Sequence, residues 1–104
     1  MHTDLANGKW FELTLAEQMA NIGSEVHRLI TWRNRNQLHF DSALNRALEL
    51  IDLTLADTRW RSGYKEIARV REVLCDICLG DDQYQTTLEY LDDYFLRFAL
   101  LVRR

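Results

Sequence analysis

The chain has 104 residues, a formal net charge of -3 and 47% hydrophobic residues, which suits one globular domain and excludes an intrinsically disordered chain. The acidic balance disfavours a generic nucleic-acid or membrane-surface binder. The sequence has no apolar run long enough for a membrane span and no pattern typical of an export signal. Two cysteines in such a chain favour a reducing compartment, so we expect a cytoplasmic protein.

Four segments repeat apolar residues at helical spacing, and none alternates with the two-residue period of a strand for long enough to form one. The chain contains no proline and only four glycines. Because proline breaks helix interiors, its absence favours long, uninterrupted helices. The sequence therefore predicts an all-α fold.

Residues 1–13 are predicted to form a short N-terminal arm, followed by a single helical-bundle domain at 14–104. Trp10 and Phe11 of the arm are too apolar to remain in water. We therefore expect the arm to dock on the bundle or on a partner.

The first predicted helix runs from Thr14 to about Trp32. Thr14 and Glu17 have the spacing of a capping box, in which each side chain accepts a hydrogen bond from the backbone of the other residue. Beside the apolar stripe lies a second stripe of small residues, which would let another helix approach closely. These small residues are Ala16, Ala20 and Gly23. The side chains predicted to face water are Gln18, Asn21, Ser24, Glu25 and Arg28.

The second predicted helix, residues 40–56, carries apolar residues on most of its faces and has only a narrow polar strip. A helix that is apolar around most of its circumference must be covered by its neighbours. We therefore expect it at the centre of the domain. Polar residues 33–39 and 57–62 are predicted to connect it to the helices on either side.

The third predicted helix runs from about Gly63 to Leu79, with Gly80 as a left-handed stop. The fourth opens at Thr86, where Thr86 and Glu89 would form a second capping box. Acidic residues lie early in this helix and basic residues late, which suits the helix dipole. Four amphipathic helices with short connections predict an antiparallel up-down four-helix bundle.

This topology brings charged residues together at both ends of the bundle. At one end, Arg33 and Arg35 would face and neutralise Asp81 and Asp82. The opposite end would gather the arm, the second connection and the C-terminus. It would hold the candidate ligand-binding residues Arg59, Trp60, Arg61 and Arg104.

Arginine beside tryptophan is a composition that binds phosphates and stacks on bases. An RNA- or nucleotide-associated bundle is therefore one alternative. In the other interpretation, the tryptophans cover the core and the arginines only solvate this end.

Cys75 and Cys78 form a single Cys-x-x-Cys pair near the C-terminal end of the third predicted helix. A zinc site needs further ligands, and a redox pair needs the helix N-terminus, where a thiolate is stabilised. We therefore predict two small buried apolar side chains, and neither a metal nor another cofactor. His27 lies near the small-residue stripe and is predicted to be packed or hydrogen-bonded.

Arg33 and His39 are separated by five residues. This spacing resembles the arginine–histidine motif of HEPN-type helical bundles, although the family carries it later in the bundle. The resemblance implies an RNase or a partner of a nucleotidyltransferase, with Arg33 polarising a phosphate and His39 transferring a proton. These two residues are the catalytic candidates of this second alternative.

Leu96 and Leu100 lie one turn apart on the predicted outer face of the fourth helix. Together with Trp10 and Phe11 of the arm, they add apolar surface outside the core stripes. This surplus predicts helix-to-helix self-association. We therefore expect a non-enzymatic protein-interaction module that forms a homodimer through these four residues.

Overall fold

The computed structural model describes residues 8–80 and 85–103. Within these ranges the chain forms no strand and four α-helices: α1 (Leu15–Trp32), α2 (Gln37–Leu55), α3 (Tyr64–Leu79) and α4 (Leu88–Val102). Short 3₁₀ segments, Lys9–Glu12 and Thr58–Gly63, precede α1 and α3. The predicted all-α four-helix bundle is confirmed. None of the described helices combines the length and the apolarity that crossing a membrane requires.

Contacts between α1 and α4 show that these two helices are antiparallel. Arg33, directly after α1, pairs with Glu89 at the start of α4. Ten residues earlier in the sequence, Gly23 of α1 lies against Phe95, which is six residues after Glu89 on α4. The short turn between α1 and α2 makes these two helices antiparallel neighbours as well.

Helix α1, and not α2, occupies the centre of the bundle. It packs extensively against both α2 and α4, whereas α3 packs on α2 and barely contacts α4. On α2, Leu38 is exposed and Leu48 and Leu53 are only half-buried. The expectation of a central second helix was wrong because α1 has two usable faces, one of large and one of small residues.

The small-residue face of α1 gives α4 its close approach, as predicted. A Cβ added at Gly23 would lie 2.6 Å from the Cβ of Phe95, closer than packed carbon atoms come. Phe95 is 1% exposed. The close α1–α4 contact therefore requires a residue without a side chain at position 23.

Two of the predicted helix ends differ from the structure. The Thr14–Glu17 capping box forms with both of its hydrogen bonds. Gly80, however, has extended backbone (φ -108°, ψ -155°) instead of the left-handed conformation. The N-cap of α4 is Thr87, which accepts a hydrogen bond from the backbone of Tyr90. The second capping box does not form, because the Glu89 carboxylate pairs with Arg33 instead.

Two residues of α1 that were predicted to face water are buried. Gln18 is 0% exposed and Glu25 is 7% exposed. Glu25 is paired with Arg28 on the next turn, at 3.1 Å. Asp81 and Asp82, predicted to neutralise Arg33 and Arg35, lie outside the described residues.

Candidate functional site

The side-chain amide of Gln18 joins three separate segments of the chain. Its Nε2 donates to the carbonyl oxygen of Trp10 at 2.9 Å and to Asp57 Oδ2 at 3.0 Å. Its Oε1 accepts from the indole N–H of Trp60 at 2.8 Å. The amide is therefore hydrogen-bonded on both its nitrogen and its oxygen, as a buried polar group must be.

The arm docks through Trp10, which is 1% exposed. Its indole N–H donates to the Thr54 hydroxyl at 3.1 Å, and that hydroxyl donates to the carbonyl oxygen of Leu50. In the described part of the arm, residues 8–13, Trp10 thus packs into the core of the bundle. Trp10 is part of the core and presents no surface to a partner, whereas Phe11 is half-buried.

Asp57 is the charged centre of this network and is 6% exposed. The Arg59 guanidinium donates to it from Nε at 3.0 Å and from Nη2 at 2.6 Å, and the Arg59 backbone N–H also donates, at 3.1 Å. The hydrogen bonds from Arg59, aided by the one from Gln18 and opposed by burial, lower the pKa of Asp57 from 3.8 to about 2. The same pairing raises the pKa of Arg59.

The predicted basic and aromatic end is therefore largely engaged within the chain. Arg59 also donates to the Leu13 carbonyl oxygen at 2.7 Å and lies 4.4 Å from the centroid of the Trp60 ring. Arg61 is exposed, and Arg104 lies outside the described residues. Two of the four predicted ligand-binding residues, Arg59 and Trp60, are thus bonded within the fold.

The network was missed because Gln18 was predicted to face water and Asp57 to lie in a polar connection. The sequence does carry a signal for the first of them. Gln18 lies three residues after Leu15 and four before Ile22, which places it on the apolar stripe of α1. A polar residue at a core position indicates a buried hydrogen-bond network.

The two HEPN-type candidates have separate partners. Arg33 is paired with the Glu89 carboxylate, and this hydrogen bond raises the pKa of Arg33. His39 is exposed in the first turn of α2, with its ring centroid 4.5 Å from that of Trp32. No hydrogen bond links Arg33 to His39 among the residues that the structure describes.

An open groove of about 590 Å³ lies between α1 and α4. Helix α4 contributes Leu96, which is 50% exposed, and Leu100 follows one turn later at 54%. On the opposite side, the small residues of α1 make the groove shallow. The lining residues from α1 are Ala20, Gly23, Ser24, His27 and Arg28. Those from α4 are Asp92, Phe95, Leu96, Ala99 and, just beyond its end, Arg103.

Ser24, His27 and Asp92 are the residue types of a hydrolase triad, and all three line this groove. Nδ1 of His27 lies 3.3 Å from Asp92 Oδ1, so His27 is hydrogen-bonded, as predicted, but exposed. The Ser24 hydroxyl donates to the carbonyl oxygen of Ala20, not to His27. Ser24 also lies within α1, where the backbone N–H groups are bonded inside the helix and cannot form an oxyanion hole. The groove therefore lacks an activated nucleophile.

Cys75 and Cys78 are half-buried free thiols. Burial, with a smaller contribution from Cys75, raises the pKa of Cys78 to about 11. A nucleophilic or metal-binding cysteine needs the opposite shift. No group of three residues with metal-binding side chains occurs at 8–80 or 85–103.

The fold and these sites define an all-α four-helix bundle in which five of the eight exposed large apolar side chains among the described residues lie on α4. Comparison of the chain with protein-family models, with curated proteins and with solved structures finds no match. The interpretation of the α4 surface therefore depends on its own geometry.

Proposed function

We propose that this chain is a non-enzymatic, cytosolic protein-interaction module that self-associates through the outer face of α4. The observation that carries the proposal is the exposure of Leu96 and Leu100, at 50% and 54%, beside the α1–α4 groove. Other exposed apolar side chains of the same helix are Tyr90, Leu101 and Val102. Exposed apolar patches of this kind are typical of interaction sites.

The groove lets a second copy cover these leucines. Ala20 and Ser24 rise little above the backbone of α1, so the side of the groove opposite Leu96 leaves room for a helix. Burying the exposed half of a leucine contributes about 1 kcal/mol. Two copies would bury four such side chains, on the order of 4 kcal/mol, and the flanking residues would add to this.

The side chains that RNA binding would use are already bonded within the chain. Arg59 and Trp60, the centre of the RNA-associated alternative, bind one another, Asp57 and Gln18. An RNA would have to displace a charge-assisted contact before Arg59 could bind a phosphate. The α4 leucines, in contrast, remain half exposed beside the described part of the chain.

The cytosolic part of the proposal rests on the two cysteines. Cys75 and Cys78 are both free thiols, and they lie one turn apart on the same helix. Disulfides persist in oxidising compartments, whereas free thiols are the usual state in a reducing one.

Sedimentation at micromolar concentration tests the proposal. The wild-type chain should be a dimer, and Leu96→Glu with Leu100→Glu should be a monomer, because the variant places two charges in the contact. The matched control is Leu38→Glu with Leu79→Glu, which changes two leucines that are 81% and 71% exposed on other helices and should leave the dimer intact. A monomeric wild type, or a dimer indifferent to the α4 change, would refute the proposal.

A further inference from the structure

We propose that two copies pair their α4 helices antiparallel about a two-fold axis, with Asp93 of each copy facing Arg103 of the other. This inference rests on the proposed self-association and adds its geometry. It follows from the order of charges along one exposed stripe of α4, and from two of these charges having no partner among the residues that the structure describes.

The stripe consists of residues separated alternately by four and three positions: Glu89, Asp93, Leu96, Leu100 and Arg103. All five are exposed. At 3.6 residues per turn they fall within roughly 80° of the helix circumference. This is the spacing of a coiled-coil seam, with two leucines at the centre and charges at both ends.

The charges on the stripe favour an antiparallel pair. Its early end is acidic and its late end is basic. In a parallel two-fold pair each residue meets its own copy, so Asp93 would face Asp93 and Arg103 would face Arg103. In an antiparallel pair the acidic end of one helix meets the basic end of the other. Complementary charges of this kind set the register and orientation of paired helices.

The leucines select one antiparallel register. When Leu96 of one copy faces Leu100 of the other, the two-fold axis passes between these positions. Asp93 lies three residues before Leu96, and Arg103 lies three residues after Leu100. The same symmetry operation therefore brings Asp93 opposite Arg103. Because the two-fold axis repeats each contact, the dimer contains two leucine contacts and two ion pairs.

Asp93 and Arg103 are available for this pairing. Neighbouring acidic residues of α4 are engaged within the chain, Glu89 by Arg33 and Asp92 by His27. The side chains of Asp93 and Arg103 make no hydrogen bond or ion pair with any described residue. Both charges that the dimer geometry requires are thus without a partner among residues 8–80 and 85–103.

A charge-exchange experiment tests this register by sedimentation. Asp93→Arg and Arg103→Asp, each alone, should weaken self-association at least tenfold, because each variant places like charges opposite one another. An equimolar mixture of the two variants should recover wild-type affinity. In the mixed pair, the arginine introduced at position 93 of one copy faces the aspartate introduced at position 103 of the other. The native Arg103 of the first copy then faces the native Asp93 of the second. Arg61→Asp, a reversal of an exposed arginine that does not belong to α4, is the control and should change nothing.

The outcomes separate the two proposals. A monomeric wild-type chain would overturn both of them. A dimer that Leu96→Glu with Leu100→Glu disrupts, but that neither charge reversal weakens, would overturn the antiparallel register alone. The register would also be overturned if the single variants were monomers and the mixture stayed monomeric while each remained helical by circular dichroism. Recovery in the mixture would establish the register.

Discussion

The ion pair between Asp57 and Arg59 should make an identifiable contribution to stability, which Asp57→Asn removes. Asparagine has nearly the same shape and can still accept the hydrogen bond from Gln18. It cannot carry the negative charge that Arg59 binds through its side chain and backbone. The variant therefore isolates the charge-assisted part of the network.

The magnitude follows from the pKa of Asp57, which falls from 3.8 to about 2 on folding. A shift of this size corresponds to roughly 2 kcal/mol of free energy of unfolding. Because the folded-state pKa is the lower one, this stabilisation is fully present above about pH 4. It is lost as the pH falls from about 4 to about 2. Asp57 is 6% exposed, so solvent screening does not remove most of it.

Urea denaturation followed by tryptophan fluorescence measures the effect. At pH 7 the free energy of unfolding of Asp57→Asn should be about 2 kcal/mol below that of the wild type, which for a domain of this size lowers the melting temperature by roughly 10 °C. The difference should shrink steadily below pH 4. The control is Asp41→Asn, since Asp41 is exposed and, within the described ranges, accepts a hydrogen bond only from Gln37 on its own helix. Equal stabilities of Asp57→Asn and wild type at pH 7, or a difference that persists at pH 2, would refute the reasoning.

Two further predictions concern packing. Gly23→Ala should lower the free energy of unfolding by about 1–3 kcal/mol in a urea titration, because its Cβ would overlap Phe95. The control is Gly63→Ala, since a Cβ at position 63 meets no atom within 4 Å. Equal effects of the two substitutions would contradict the close α1–α4 contact. Cys78 should react with iodoacetamide about a hundredfold more slowly than an ordinary thiol at pH 8, because its raised pKa leaves correspondingly less thiolate. Peptide mapping by mass spectrometry measures this rate, and rapid labelling of Cys78 would show that burial does not protect it.

Local signals in the sequence were sufficient for the helices themselves. The Thr14–Glu17 box fixed the start of α1 because both of its hydrogen bonds are made within four residues. The small-residue stripe at Gly23 likewise predicted a close helix contact, since only the absence of a side chain permits one. A capping box depends only on residues that are neighbours in the sequence, and a close helix contact depends on side-chain volume alone.

Long-range polar partners could not be predicted in the same way. The spacing of Thr86 and Glu89 favoured a capping box, but Arg33, 56 residues away in sequence, binds the Glu89 carboxylate instead. The composition around Arg59 and Trp60 favoured a ligand site, yet Asp57 and Gln18 use those side chains inside the fold. In both cases the competing partner becomes visible only when the helices are packed.

The docking of Trp10 also orders events during synthesis of the chain. Its indole bonds to Thr54, 44 residues later, and Gln18 bonds to Asp57 and Trp60, 39 and 42 residues later. The indole of Trp10 therefore has no hydrogen-bond acceptor at Thr54 until α2 has been synthesised, although its carbonyl oxygen can bond to Gln18 earlier. The Gln18 amide gains its full set of partners only after α2 and the turn that follows it.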